Sequence, residues 1–361
     1  MCLGSIRIVG GTMFDVRTEV DLENMQPFGN TEGKNSSVFL AHDKQLRQQF
    51  IVKKIKKEDI FKDFGDDNEN NLFLESSILY KVSHPNITEI QYASFDENSV
   101  YMVMPYYRNG SVQSLLESRN LTMREFVKVS LDFLSGLLFV HSNNLVHFDI
   151  KPTNILINNN GKAALTDFGL AKYLDEITEL ASPNKLYCTH WPPEYFTSNE
   201  MGRQADIYQA GITMYRLVNG DELWKQQVVN FNKEDVKIGK FPDRKMYLPH
   251  VPSKIRKIIN HCIEVDVDKR YETVLDVIND ISKIDGKLDW QYQRLSVDKE
   301  VWTNIEGNME ICISLNQIGD TFNVQTLKTN LESNKASKVT NMCKTSLSKV
   351  DAYKAVEEFT K

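Results

Sequence analysis

The 361-residue chain lacks paired cysteines: Cys2, Cys188, Cys262, Cys312 and Cys343 are odd in number and scattered, with no C-x-x-C spacing. That excludes a disulfide framework and a site of closely spaced thiolates, and it leads us to expect reduced thiols in a cytoplasmic compartment. Long apolar runs are missing as well. The opening MCLGSIRIVGG is too short in apolar residues for a signal peptide, and no stretch reaches membrane-spanning length, so no membrane partner is expected. Residue 2 is Cys, which rules out the N-myristoylation pattern. Positive charge is not in excess either. With 43 Lys and Arg against 49 Asp and Glu, the net charge of -6 gives no reason to expect nucleic acid or anionic lipid as the main partner. What is present is ordinary for a folded protein, 41% hydrophobic and 25% charged residues, in a chain long enough for two or three domain-sized units.

Along the chain the pattern changes twice. Residues 1–26 read as an extension. From residue 27 to 105, SSVFLA (Ser36–Ala41), QFIVKKI (Gln49–Ile55), ITEIQYASF and SVYMVMPYY read as strands. A single helix is expected among them, because Leu72, Leu74, Ile78, Leu79 and Val82 make a helical stripe. From residue 106 to 287 the pattern is helical, with Phe126, Val129, Phe133, Leu137 and Val140 on one face of a long helix. A β-rich lobe joined to a helical lobe near Tyr106–Gly110 implies a cleft between them, a usual place for a ligand. In residues 288–361, KEVWTNI, MEICISLN and TFNVQTLKT predict three strands, with turns at Gly307 and Gly319. Leu347, Val350, Tyr353, Val356 and Phe359, at steps of three, then predict an amphipathic helix. This tail reads as a small, separable βββα unit and as a surface for a protein partner. The six lysines from Lys328 to Lys354 are matched by as many acids in the unit, so a solvated face is expected rather than a nucleic-acid site.

The chemistry concentrates in NLVHFDIKPTNILIN (Asn144–Asn158) and in TDFG (Thr166–Gly169). Phosphoryl transfer needs held phosphates, metal ions to neutralise spreading charge, and a carboxylate near the attacking hydroxyl. Asp149 offers that carboxylate and Lys151 a cation for the γ-phosphate. Asn154 and Asp167, thirteen residues apart, offer oxygen ligands suited to Mg²⁺. Upstream, Lys53 would hold the α- and β-phosphates with Glu75 as its ion-pair partner. Lys53 is preferred over Lys54 because it shares a strand face with Ile51.

These segments resemble the eukaryotic-type protein kinase family over about Phe28 to Ile284. HFDIKPTNILI is similar to the catalytic loop, DFG to the metal-binding motif, FIVKKI to the strand carrying the nucleotide lysine, and ESSILYKVSHPNI to the helix carrying its Glu partner. Pro192-Pro193-Glu194 resembles the close of the activation segment, DIYQAG (Asp206–Gly211) the helix whose Asp anchors the catalytic loop, and Arg270 the partner of Glu194. The resemblance implies an α+β bilobal fold, ATP and Mg²⁺ as cofactors, and a protein substrate, with Lys151 marking the Ser/Thr-directed form. It assigns Gly33, Val38, Ile51, Met104, Tyr106 and Leu156 to nucleotide binding. It also implies that His147, Phe168 and Leu79 form an internal stack rather than a catalytic group.

Two departures stand out. The glycine-rich loop keeps only Gly33 where the pattern falls on Thr31, Gly33 and Ser36, which implies less well-organised ATP binding. Phe148 replaces the Arg that, in the family, reaches a phosphate on the activation segment, so phosphate at Thr178, Ser182, Tyr187 or Thr189 would find no cation there. Lys172 or Lys185 is left as a partial substitute. An active protein kinase whose activity does not need activation-segment phosphorylation is the leading expectation. A pseudokinase serving as a binding or scaffold module is the alternative, and a small-molecule kinase of the aminoglycoside type fits least, because it lacks the PPEY…DIYQAG…KR segment. Short motifs taken singly are mostly structural or solvated. The second D-F-G string in Asp63–Asn71 is read that way, as a solvated loop.

Overall fold

The computed structural model describes residues 22–29, 36–64, 72–183, 187–198 and 200–361. Its first lobe is an antiparallel sheet of β1 (Leu22–Pro27), β2 (Ser36–Asp43), β3 (Gln48–Lys56), β4 (Tyr92–Phe95) and β5 (Ser99–Pro105), in the order β1-β2-β3-β5-β4. The expected boundary at residue 26 therefore falls inside a strand, since Leu22 to Pro27 pair with Asp43 to Phe39. Side chains alternate across a strand, and this sheet uses both faces. Ala41, Phe50, Val52, Tyr101 and Val103 bury one face in a small core of their own. The opposite face carries Val38, Leu40, Ile51, Lys53, Met102 and Met104, because Val38 pairs with Lys53, Lys53 with Met102, Leu40 with Ile51, and Ile51 with Met104.

Two helices lie between β3 and β4, where one was expected: α1 (Lys57–Phe64) and α2 (Leu74–Lys81). Asp63 and Phe64 of the second D-F-G string end α1, and the rest of that run lies outside the described residues. The stripe read for α2 holds, with Leu72, Ile78, Leu79 and Val82 buried.

The helical lobe contains α3 (Val112–Ser118), α4 (Met123–Ser142), α5 (Arg203–Val228), α6 (Lys233–Lys237), α7 (Ser253–Cys262) and α8 (Val274–Ile281). Thr122 and Glu125 start α4 with a reciprocal capping box, and Phe126, Val129, Phe133, Leu137 and Val140 all face the core. Short strands β6 (Leu145–Val146), β7 (Ile155–Ile157), β8 (Ala163–Leu165) and β9 (Lys172–Tyr173) frame the loops at the cleft; β6 pairs with β9 and β7 with β8.

The tail is larger than the four elements expected. It is a six-stranded sheet of β10 (Gln291–Ser296), β11 (Lys299–Glu306), β12 (Met309–Ile318), β13 (Thr321–Asn330), β14 (Ala336–Lys338) and β15 (Lys344–Leu347), followed by α9 (Lys349–Thr360). The turns at Gly307 and Gly319 are present, both glycines with positive φ. The helix stripe holds in Leu347, Tyr353, Val356 and Phe359, which pack against the core, whereas Val350 is 64% exposed and Ala352, Ala355 and Thr360 complete the buried face, because a 3.6-residue period drifts away from a repeat of three.

Trp290, Tyr292, Trp302, Ile313, Leu315, Val324 and Val356 belong to the same apolar core as α4, α5 and α7, so the sheet completes that core rather than enclosing one of its own. Polar contacts reinforce the junction. Trp302 Nε1 donates to His250 Nδ1 at 3.0 Å, Gln291 Nε2 to the Asn120 carbonyl at 2.8 Å, and Arg294 Nη1 to Glu222 at 2.6 Å. Among the described residues, no helix is long and apolar enough to cross a membrane.

Candidate functional site

The loop after β6 is shaped from below by one polar stripe on the buried first half of α5. Asp206, fully buried, accepts from the backbone N–H of His147 and of Phe148, both at 2.8 Å, and contacts His141 Nε2 at 2.8 Å. One turn on, Gln209 accepts from Ile150 N at 3.0 Å and donates to the Phe148 carbonyl at 2.9 Å. A turn later, Thr213 Oγ1 donates to the Ile150 carbonyl at 3.2 Å. Residues 206, 209 and 213 share one helix face, so three buried side chains grip His147, Phe148 and Ile150 of the loop. Sequence reading found Asp206 but missed Gln209, Thr213 and His141. The signal was there, in polar residues at helical spacing within an apolar run.

Held in this way, Phe148 adopts a left-handed backbone at φ +61, and its neighbours point in different directions. Asp149 turns towards the cleft, where its Oδ2 accepts from Lys151 Nζ at 2.8 Å and from Asn154 Nδ2 at 2.7 Å. Burial raises the Asp149 pKa, and the Lys151 charge partly opposes that. Asn154 also donates to the Asp149 carbonyl at 3.0 Å, so its amide nitrogen is committed to Asp149 and its oxygen remains as the available ligand. His147 is not part of this chemistry. Its Nδ1 accepts from Asp149 N at 3.2 Å, its Nε2 faces the Thr166 carbonyl at 3.2 Å, and its ring meets Phe168 at 4.6 Å. Burial lowers its pKa, and Phe168 and Leu79 lie in the main core, as the internal stack requires.

Asp167 is the second residue with a left-handed backbone here, at φ +63. Its Oδ1 lies 2.7 Å from Lys53 Nζ, and Lys53 lies 2.7 Å from Glu75 Oε1 as well. The Lys53 charge holds the Asp167 carboxyl down to about 2. Burial would lower the pKa of Lys53, but the charges of Asp167 and Glu75 outweigh it and hold the group above its ordinary value. Glu75 is pushed up, by burial first. Lys53 thus joins β3, α2 and the loop after β8 in one contact set. Lys54 points to the opposite face, where its ammonium sits 5.5 Å from the Tyr101 ring centre.

Val38, Ile51 and Met104 lie on the Lys53 face of the sheet, and Met104 is buried. Tyr106 follows β5 and meets Phe28 edge-on at 5.5 Å, and Leu156 sits on β7, bridged to Ser111. Gly33 and Thr31 lie outside the described residues. A cavity of 380 Å³ lined by Gln48, Gln49, Tyr106, Arg108, Asn109 and Asn159 opens at the outer end of this junction, apart from the carboxylates. Among the described residues, no three His, Cys, Asp or Glu side chains converge on a metal position. The pair Asn154 and Asp167 still suits Mg²⁺, which keeps much of its shell as water and phosphate oxygens and takes only one or two ligands from protein.

Arg270, its side chain fully buried, forks onto Glu194 at 2.7 and 2.6 Å. The protein kinase domain model matches residues 24–280. The chain belongs to the protein kinase family. Kinases similar to it include the serine/threonine-protein kinase PrkC of Bacillus subtilis, 28% identical over 254 residues, which are 69% of this chain and 38% of that protein. The serine/threonine-protein kinase PknD of Protochlamydia amoebophila is 24% identical over 72% of this chain and 30% of its own. Myosin light chain kinase A of Dictyostelium discoideum is 26% identical over 69% of this chain and 85% of its own. This kinase chain therefore spans well under half the length of the two bacterial relatives. The family match ends at residue 280, so the sheet β10–β15 and α9 lie beyond it.

The activation segment of the kinase domain packs through Phe148. Its fully buried ring joins Val146, Leu174, Ala181, Met201 and Ala205 in a separate apolar cluster. Of the four hydroxyls considered above, Thr189 is only 7% exposed and hydrogen-bonds to His190, so it is not presented to solvent. Thr178 contacts Asp175 at 3.1 Å, and Tyr187 is 47% exposed. Lys185 lies outside the described residues.

Proposed function

We propose that the chain is an ATP- and Mg²⁺-dependent kinase that transfers the γ-phosphoryl group to Ser or Thr hydroxyls of protein substrates. The observation that carries this reading is Lys53, 2.7 Å from both Glu75 and Asp167, which draws the two lobes together around a set of phosphate and metal ligands. Bound Mg²⁺ would neutralise phosphate charge, held by Asp167 and the Asn154 oxygen. Lys53 would bind the α- and β-phosphates, with Val38, Ile51, Met104, Tyr106 and Leu156 around the base and Gly33 over the phosphates. Asp149 orients the acceptor hydroxyl and takes its proton as the oxygen attacks. Lys151, beside it, offsets the charge growing on the transferred group. The Ser/Thr names of the relatives support the choice of acceptor.

The segment that would present substrate is held by the apolar Phe148 cluster, none of whose members is a cation. The reading is therefore an enzyme that works without activation-segment phosphorylation. The C-terminal sheet, with Val301, Thr303, Cys312 and Leu327 on its outer side, is the surface we assign to a protein partner other than the substrate. Incubation with γ-labelled ATP, Mg²⁺ and a generic protein acceptor tests the central claim. Label should reach Ser and Thr in the wild type and fail to do so in Asp149→Asn. A wild type that binds ATP but transfers nothing would leave the scaffold reading standing.

A further inference from the structure

The activation segment lays an aromatic ring on the catalytic-loop lysine. Lys151 Nζ sits 4.7 Å from the centre of the Tyr187 ring, while its other contact is Asp149 Oδ2 at 2.8 Å. An ammonium over a ring face is attracted by the ring's quadrupole. Tyr187 rests in turn on a tier of side chains: His190 lies 5.6 Å away between ring centres, and Trp224 of α5 lies 5.9 Å beyond that. The Arg216 guanidinium lies 5.0 Å from the Trp224 ring centre and pairs with Asp221 at 3.6 Å. His190 is 1% exposed. Burial, then the charges of Arg216 and Lys151, hold its pKa well below the ordinary value, so a neutral imidazole fills the tier without repelling Lys151.

We propose that Tyr187 is a positioning residue for phosphoryl transfer, its ring face holding the Lys151 ammonium against Asp149 and toward the cleft. A lysine is a compact charge on a flexible four-carbon stem, and a single carboxylate leaves it many rotamers. The ring removes most of them, and the tier behind the ring fixes its height above the catalytic loop. Because the contact is made by the ring rather than by the hydroxyl, it distinguishes an aromatic residue at 187 from an aliphatic one. This inference rests on the role given above to Lys151.

The test compares Tyr187→Leu with Tyr187→Phe. Leucine should lower kcat about three- to thirtyfold with KM for ATP unchanged, the span set by a single cation–π contact. Phenylalanine should restore most of that loss. In a Lys151→Met background the leucine substitution should add nothing, because the two residues act as one unit. A second measurement needs no activity: acylation of Lys151, followed by mass spectrometry, should be faster in Tyr187→Leu than in wild type and slow again in Tyr187→Phe. Phenylalanine as damaging as leucine, an undiminished leucine effect without Lys151, or an unchanged acylation rate would each overturn the proposal. A wild type that transfers no phosphate would instead overturn the kinase reading, and the acylation rates would still decide the contact.

Discussion

Truncating Phe148 to Ala should loosen the activation segment and leave the rest of the molecule in place. The ring is fully buried among Val146, Leu174, Ala181, Met201 and Ala205, a cluster separate from the main core. Removing a buried Phe side chain costs about 3–5 kcal/mol where the surroundings cannot collapse. Alanine meets the same left-handed backbone at φ +61, so the comparison isolates the lost contacts from the backbone cost. Leu174, Ala181 and Met201 lie on or just beyond the segment, so the loss falls on its docking. Each 1.4 kcal/mol is tenfold, so segment opening should become roughly one hundred to a few thousand times more frequent. Hydrogen exchange reads this directly at Leu174 N (bonded to the Asn144 carbonyl), Ala181 N (to the Met201 carbonyl) and Met201 N (to the Ala181 carbonyl). Those amides should exchange faster while the amides of α4 keep their protection. Activity on a protein acceptor should fall, with ATP binding retained. The companion measurement is on wild type: treated with phosphatase and shown bare by mass spectrometry, it should keep its initial rate. Segment amides that exchange as in wild type, or a tenfold drop on dephosphorylation that rephosphorylation restores, would refute apolar docking as the substitute for a phosphate tether.

Asp149→Asn should reduce transfer by about 10²–10⁴ with ATP still bound, the range for loss of one acid–base group, whereas Asp167→Asn should also remove the Mg²⁺ dependence of ATP binding, checked by titrating nucleotide with and without metal. Lys53→Met should be inactive yet folded and Lys54→Met close to wild type by initial rates, since only Lys53 reaches Glu75 and Asp167. The acid limb of the kcat–pH profile should follow Asp149: protonation removes the acceptor, so rate falls as pH drops through a pKa raised by burial, while Asp167, held down to about 2, stays ionised throughout that limb. Lys151→Met removes the charge that lowers the Asp149 pKa, so in its residual activity that limb should move to higher pH. A chain ending at residue 287 should be insoluble or poorly folded by circular dichroism, because it removes Trp290 and Trp302 from the core of the helical lobe.

Much of the candidate site was legible because its residues are fixed by short-range rules. The choice of Lys53 over Lys54 needed only strand alternation, and the register Val38–Lys53–Met102 places it on the cleft face. The α4 stripe was equally plain. Legibility failed where burial comes from distant partners. Strand β10, QYQRLS, is mostly polar, and its one deeply buried residue, Tyr292, packs against Trp302 and His250, which its own sequence does not reveal. Strands β14 and β15 are short and largely exposed, so they carry no alternation to read. Helix α1 is only eight residues long, so the amphipathic signal of Ile60 and Phe61 is confined to two turns. The tail's apolar face was read correctly, but part of the surface that covers it belongs to the helical lobe, which the tail's own sequence does not reveal.

The grip of α5 on the catalytic loop has a further consequence. Every hydrogen bond that Asp206, Gln209 and Thr213 make to residues 147–150 ends on a backbone atom. The course of the loop itself therefore does not depend on which side chain stands at 148. On the function proposed above, a cationic residue there would place the segment under the control of a modifying enzyme and an aromatic one would dock it without a phosphate, with Asp149, Lys151 and Asn154 undisturbed in either case. Docking of the segment and chemistry, adjacent in the chain at Phe148 and Asp149, are thereby open to separate selection.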